Sequence, residues 1–334
     1  FVFFTILIIF GLFIIFAAEV ELGWDGQSYW YPKAYHFANS GDIFTLSNIR
    51  ATHPHLGPYI WGFFWNFFSY QYEYLGRLFL VFFYIFSIIF VVFNNLRLSY
   101  QNLFSFFIIF TLTCDINLFK GYQEYYLFSF FLLFTYLYNN SPNEKHFFLL
   151  NILILNLLLW TKNESMVLSL PLIILSFFYK GKSFIKLKIL YLVSILLIYL
   201  IKIYVSSNFI NINLNYNLSK INFELLNFHT LQEDILLFSY YLFLSFFKNP
   251  IWLLFFYFII FSKLFKLHRH IYFQNYLLFC LNMLFIIFIY HLIETPLLNW
   301  SLSGSLDRLM FSISGYFVYY IDLNLKKIFQ NKND

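Results

Sequence analysis

The sequence predicts an all-α polytopic membrane protein with roughly ten transmembrane helices and a first outer loop that contains interfacial helices. Three observations carry this expectation. Of 334 residues, 61% are hydrophobic and only 11% charged, where a soluble domain has about 25% charged residues. The mean hydropathy is +0.69. The apolar residues also fall into separate runs, with the basic residues gathered between alternate runs.

Taken in order, the apolar runs cover about 1–18, 75–93, 101–114, 125–138, 147–160, 165–179, 189–205, 250–262, 273–292 and 307–322. Several are nearer to about 14 residues than 20, or roughly 21 Å at the helical rise. They must extend into flanking aromatic segments, sit in a thinned bilayer or fail to cross fully. The first run lacks a basic n-region, so it is expected to be an uncleaved span and not a signal peptide. It opens without Met, which admits a fragment of a longer protein. Two further apolar stretches, 57–70 and 233–247, are rich in aromatic residues and suit an interfacial position. No repeat and no separate soluble domain is evident. Residues 1–334 therefore read as one integral-membrane domain, with outer segments at 19–74 and 206–249.

Basic loops orient such a chain. Lys180, Lys182, Lys186 and Lys188 form one, Lys263, Lys266 and Arg269 another, and Lys326, Lys327 and Lys332 a third; Arg97 and Lys145 join the same side. That side is expected to be cytoplasmic. The other collects Asp25, Asp42, Asp115, Glu124, Glu164, Glu224, Glu233, Asp234, Glu294 and Asp307. The net charge of +5 is thus a topology signal and not a nucleic-acid footprint. Cys114 and Cys280 give neither metal spacing nor a disulfide framework.

Five stretches could carry chemistry. In WDGQSYWYPKAYHFANSGD, Asp25 stands among Trp24, Tyr29, Trp30 and Tyr31, followed by Lys33 and Asp42. A helix cap explains a lone carboxylate; a partly desolvated one also suits a general base toward a hydroxyl. In HPHLGPYIW, His53 and His55 offer two nitrogens but no third ligand nearby, and a turn toward the membrane explains them as well. DINLFKGYQEYY places Asp115, Lys120 and Glu124 between runs, and WTKNES interrupts an apolar passage with Lys162 and Glu164. Finally, SGSLDRLMF puts Asp307 and Arg308 at the expected outer start of the last span, where Arg308 suits a phosphate and an Asp–Arg end pair is the alternative.

The order of these motifs resembles the GT-C superfamily of membrane glycosyltransferases, in particular the branch of protein O-mannosyltransferases and the lipid A aminoarabinose transferase. The resemblance rests on Asp25-Gly-Gln-Ser-Tyr29, Lys33-Ala34 and Gly41-Asp42, then on a His53-Pro54-His55-Leu56 turn and Arg77-Leu78. Glu124 opens a short aromatic run, Lys162-Asn163-Glu164 follows, and Arg308-Leu309 comes late. It covers the first half of the chain well and the second half loosely. The chain departs from the pattern at Asp25-Gly26, where several members carry a second acidic residue. That makes metal assistance less expected, and no cofactor is firmly implied, a divalent metal remaining an open alternative. The chain is also short for the family.

The resemblance implies transfer of a sugar from a polyprenyl-phosphate donor to a lipid, glycan or protein acceptor, with inversion. Asp25 and Glu124 stand as the catalytic pair. Tyr29, Lys33, Asp42, His53, Lys162, Glu164 and Arg308 stand as substrate-binding residues. The expected place is a bacterial inner membrane, with the site on its extracytoplasmic face. An O-antigen ligase or polymerase is one alternative, although its large loop comes late, where 206–249 here is weakly charged. A flippase or transporter is another. It calls for charges at mid-membrane, and Lys202 is the clearest of these.

Overall fold

The computed structural model describes residues 2–43, 45–46, 54–94, 99–141, 143–178, 185–208, 228–261, 269–291 and 295–330. Among these the chain is all-helical, 86% helix with no strand. Helix α1 spans Val2–Glu19. A π-helical turn, Gly26–Trp30, leads into α2 (Tyr31–Ala38), and α3 is Leu56–Trp65. The bundle continues with α4 (Glu73–Val92), α5 (Tyr100–Thr113), α6 (Glu124–Asn140) and α7 (Glu144–Thr161). Then come α8 (Ser165–Leu168), α9 (Leu170–Phe177), α10 (Ile185–Asn208), α11 (Phe228–Lys248) and α12 (Ile251–Ile260). The last two are α13 (Arg269–His291) and α14 (Thr295–Gln330).

Among the described residues two helical segments, Glu73–Val92 and Ile185–Val205, are long and apolar enough to cross a membrane, and Ile235–Lys248 with Ile251–Ile260 forms a third candidate bent by 98°. The 233–247 stretch, expected to lie flat by itself, is thus one arm of a bent pair. The segments Phe10–Glu19, Tyr100–Thr113, Lys145–Thr161, Ser165–Phe177 and Ile271–Ile287 are apolar but shorter. Arg308 lies well inside the 36-residue α14, whose first residue is Thr295, because the polar stretch before it continues the helix without a break. Of the second outer segment, 209–227 lies outside the described residues.

Helix α6 is the axis of the bundle, buried on almost every side from Glu124 to Tyr136. It packs most closely on α14. Gly315 permits this approach: a Cβ there would lie 2.2 Å from the Phe128 carbonyl oxygen. Phe131 stacks on Tyr316 at 4.2 Å and Phe128 on Phe311 at 5.1 Å. Small residues that bring backbones together, with aromatic stacking beside them, are how helices associate where lipid offers no hydrophobic drive.

The ends of the bundle differ. At one end the C-terminus of α1, the N-termini of α4 and α6 and the C-terminus of α7 meet. Arg77, on α4, ties the end of α1 to the turn that precedes α6. It pairs with Glu73 at 3.0 Å and donates to the carbonyls of Ala17 (2.7 Å), Val20 (3.3 Å) and Phe119. The first two are carbonyls of the end of α1, which lack helical partners, so the guanidinium closes that helix. At the opposite end Tyr319 reaches Asn140, and Lys326 reaches the Val92 carbonyl and Asp322. The candidate site is at the first end.

Candidate functional site

The segment after α1 doubles back over the turn that precedes α6. Its Gly23 amide donates to the Lys120 carbonyl at 3.2 Å. Gly26 packs so closely on the same carbonyl that a Cβ would lie 2.5 Å from it. This docking sets Asp25, just before the π-helical turn, beside Tyr122 and Arg308.

Arg308 is the junction. Its Nη1 hydrogen-bonds Asp25 Oδ2 and lies 3.4 Å from Glu124 Oε1. Its Nε donates to the Gly304 carbonyl at 3.2 Å, and its guanidinium sits 4.9 Å from the centre of the Tyr122 ring, within cation–π range. Glu124, only 2% exposed, accepts from Lys162 Nζ at 2.8 Å through that same Oε1. Its second oxygen, Oε2, is buried without a hydrogen-bond partner among the described residues.

Lys162 reaches Glu124 because α7 stops there. Its backbone is extended (φ −146°, ψ 156°), and the Ser165 hydroxyl donates back to the carbonyls of Leu158 and Lys162 at the α7 end. The result is a continuous chain, Asp25–Arg308–Glu124–Lys162, assembled from four separate parts of the sequence, with two carboxylates balancing two cations. Burial works against the Glu124 charge, but Lys162 and then Arg308 outweigh it and hold the carboxyl below its ordinary range. Burial likewise opposes the Lys162 ammonium, and Glu124 with Glu164 raises it nonetheless. This site keeps its charges in place.

The other residues expected at the site are not links of this chain of four charges. The Tyr29 ring lies edge-on to Trp24 at 5.3 Å. Asp42 serves a local turn, its Oδ1 accepting from the Thr45 amide (2.8 Å) and hydroxyl (2.9 Å). Glu164 flanks α8 within electrostatic reach of Lys162 and Lys202. His53 lies outside the described residues. Asp307 does not pair with Arg308; it takes an exposed partner, Lys248, at 3.2 Å.

Lys33 is buried at 1% exposure on α2, its Nζ 5.9 Å from the Trp30 ring centre, and burial brings its ammonium down to about 7. His55, at the start of α3, is also buried. Burial, with Lys33 and Lys202 adding to it, lowers its ring to about 4. Tyr122, which covers Arg308, went unremarked in the sequence; its one signal is its position two residues before Glu124.

An open cleft of about 450 Å³ lies beside the Arg77 tie, lined by Glu19, Glu21, Gln27 and Glu73 among others; none of the four linked charges lines it. Among the described residues no group of three or more His, Cys, Asp or Glu side chains is placed to hold a metal ion.

No protein-family model, characterised protein or solved structure matches the chain.

Proposed function

We propose that the chain is a membrane glycosyltransferase that moves a sugar from a polyprenyl-phosphate donor to a lipid, glycan or protein acceptor. The observation that carries this reading is the Asp25–Arg308–Glu124–Lys162 chain of charges at one end of a helical bundle. A carboxylate at the rim of such a site can take the proton of an acceptor hydroxyl. Asp25 is that base. Arg308 keeps it aimed, and Glu124, anchored by Lys162, keeps Arg308 in position. Attack on the anomeric carbon from one face, with the lipid phosphate leaving from the other, inverts the configuration.

In this reading the bundle crosses the membrane about ten times, the shorter apolar helices doing so in a thinned bilayer, and the site faces the extracytoplasmic side of a bacterial inner membrane. Arg308 and Lys162, the cations expected from the sequence to meet the phosphate, are each paired with a carboxylate already. They therefore stabilise charge at the transfer point as members of a neutral cluster.

One observation favours a second reading. Lys202 is buried within a segment long enough to cross a membrane, as a flippase or transporter would require. The two separate in proteoliposomes loaded with labelled polyprenyl-phosphate sugars. Label appearing in an acceptor with inverted anomeric configuration supports the transferase; movement of intact donor between leaflets without sugar transfer supports the transporter.

A further inference from the structure

Arg308 meets Asp25 and Glu124 together only while the turn of α14 that carries it keeps one height and one rotation. Towards α6 the Tyr122 ring covers the guanidinium and Glu124 lies 3.4 Å from it. On its N-terminal side the turn is less constrained: a Cβ at Gly304 would meet nothing within 4 Å. A further hold comes from the break between α11 and α12.

That break is written in Lys248-Asn249-Pro250. Proline has no amide hydrogen and disfavours helical backbone in the residue before it. Helix α11 therefore stops at Lys248 and α12 starts at Ile251, with the two axes 98° apart. Asn249 sits in the break and serves three helices. Its amide donates to the Ser245 carbonyl at 3.1 Å and its carbonyl accepts from the Trp252 amide at 3.0 Å, which closes α11 and opens α12. Its side-chain Nδ2 donates to the Ser245 carbonyl at 3.0 Å and to the Asp307 carbonyl of α14 at 3.1 Å. The buried Trp252 donates its indole N–H to the Met310 carbonyl, also at 3.1 Å.

The two α14 carbonyls bracket Arg308. Each carbonyl oxygen has two lone pairs and a helix uses one, so these bonds are not needed to complete α14; they fasten the break to it. Helix α12 then follows α14, with Phe255 on Phe317 at 4.3 Å and the Tyr320 hydroxyl donating to the Phe258 carbonyl at 3.1 Å. The pair between Lys248 and Asp307 joins the same turn, but its lysine is 58% exposed and an exposed pair contributes little. Asn249 and Trp252 are the ties.

We propose that Asn249 and Trp252 are positioning residues that fix the Arg308 turn of α14, and through it the aim of Arg308 at Asp25. The contact is argued from geometry alone; its effect on a reaction rests on the transferase reading.

The first measurement is NMR of the full chain in detergent with ¹⁵N-labelled arginine. The sequence holds five arginines, Arg50, Arg77, Arg97, Arg269 and Arg308, and Arg308→Gln identifies the Arg308 side-chain signal by its loss. Asn249→Ala is expected to move that signal toward the position of a free guanidinium and to leave the Arg77 signal in place. Trp252→Phe keeps the ring and removes the indole donor, and is expected to act in the same direction, which keeps the test open if one variant folds poorly. The second measurement is sugar transfer in proteoliposomes. Asn249→Ala is expected to lower kcat by about tenfold to a hundredfold, as a small misplacement of a reacting group does, with KM for the donor little changed. In an Arg308→Gln background it should lower kcat no further.

An Arg308 signal unmoved in both folded variants overturns the proposal. Equal movement of the Arg77 and Arg308 signals does so too, because the ties then hold the fold in general. A displaced Arg308 signal with transfer at the native rate refutes the effect on the reaction and leaves the transferase reading intact. A displaced Arg308 signal with no transfer of any sugar by the unsubstituted protein supports the positioning contact and refutes the transferase.

Discussion

Glu124 and Lys162 are 38 residues apart in the chain and joined by a 2.8 Å hydrogen-bonded ion pair with both side chains buried. Removing one partner strands the other charge. Lys162→Met is therefore expected to cost about 3–5 kcal/mol of stability. The double variant Glu124→Gln/Lys162→Met should recover much of that loss, since neither charge then remains. Unfolding in mixed detergent measures all three proteins; a double variant as unstable as the sum of the single ones would show that the two do not act as a pair.

The same pair sets an acid limit. The folded-state pKa of Glu124 is depressed below its ordinary value of 4.5. Its contribution is thus complete above that value and is lost as pH falls through the depressed one. Melting temperature should decline on acidification below about pH 4.5 more steeply in the native protein than in Glu124→Gln, in line with this linkage. Parallel curves for the two proteins would contradict it.

Arg77 closes the end of α1 and binds Glu73 from a position only 5% exposed. Arg77→Met leaves a mostly buried carboxylate and unanswered carbonyls, and is expected to destabilise by about 3–5 kcal/mol. Arg77→Lys should recover little, because a single ammonium cannot span carbonyls on separate segments as the guanidinium fork does. Full stability of the lysine variant would show that only the charge matters there.

Gly315 sits where α14 meets the Phe128 carbonyl. Gly315→Ala forces backbone against backbone and is expected to cost about 1–3 kcal/mol, with looser α6–α14 packing. Cross-linking between cysteines placed on the two helices reads that separation directly, and an unchanged yield would contradict the close approach.

How much of this was legible in the sequence follows from the kind of signal each residue gives. Lys162 and Arg308 stand out because an ionisable group inside an apolar passage is rare, and the structure places both in ion pairs with carboxylates. The all-helical class follows from the same apolar runs. Asp42, expected to bind substrate, has an Oδ1 that accepts from Thr45, three residues away, and local turns of this sort leave no mark in the sequence that separates them from a site. Arg308 was expected at the outer start of the last apolar run; the polar residues before that run lie inside α14, which begins at Thr295. His55 and Lys202 read as a turn residue and a lone span charge. The influence of the Lys33 and Lys202 charges on the His55 ring depends on how α2, α3 and α10 pack, which no periodicity in one helix reveals.

The central claim is that Asp25 takes the acceptor proton in sugar transfer. Its most direct test is the rate of sugar transfer from a labelled polyprenyl-phosphate donor by Asp25→Asn in proteoliposomes, compared with the unsubstituted protein. Asparagine retains the size of the side chain and its contact with Arg308 but cannot accept the proton, so transfer is expected to fall by at least about 10²–10⁴-fold, the usual share of a general base, with the melting temperature little changed. Transfer at the native rate by a folded Asp25→Asn protein would contradict the account.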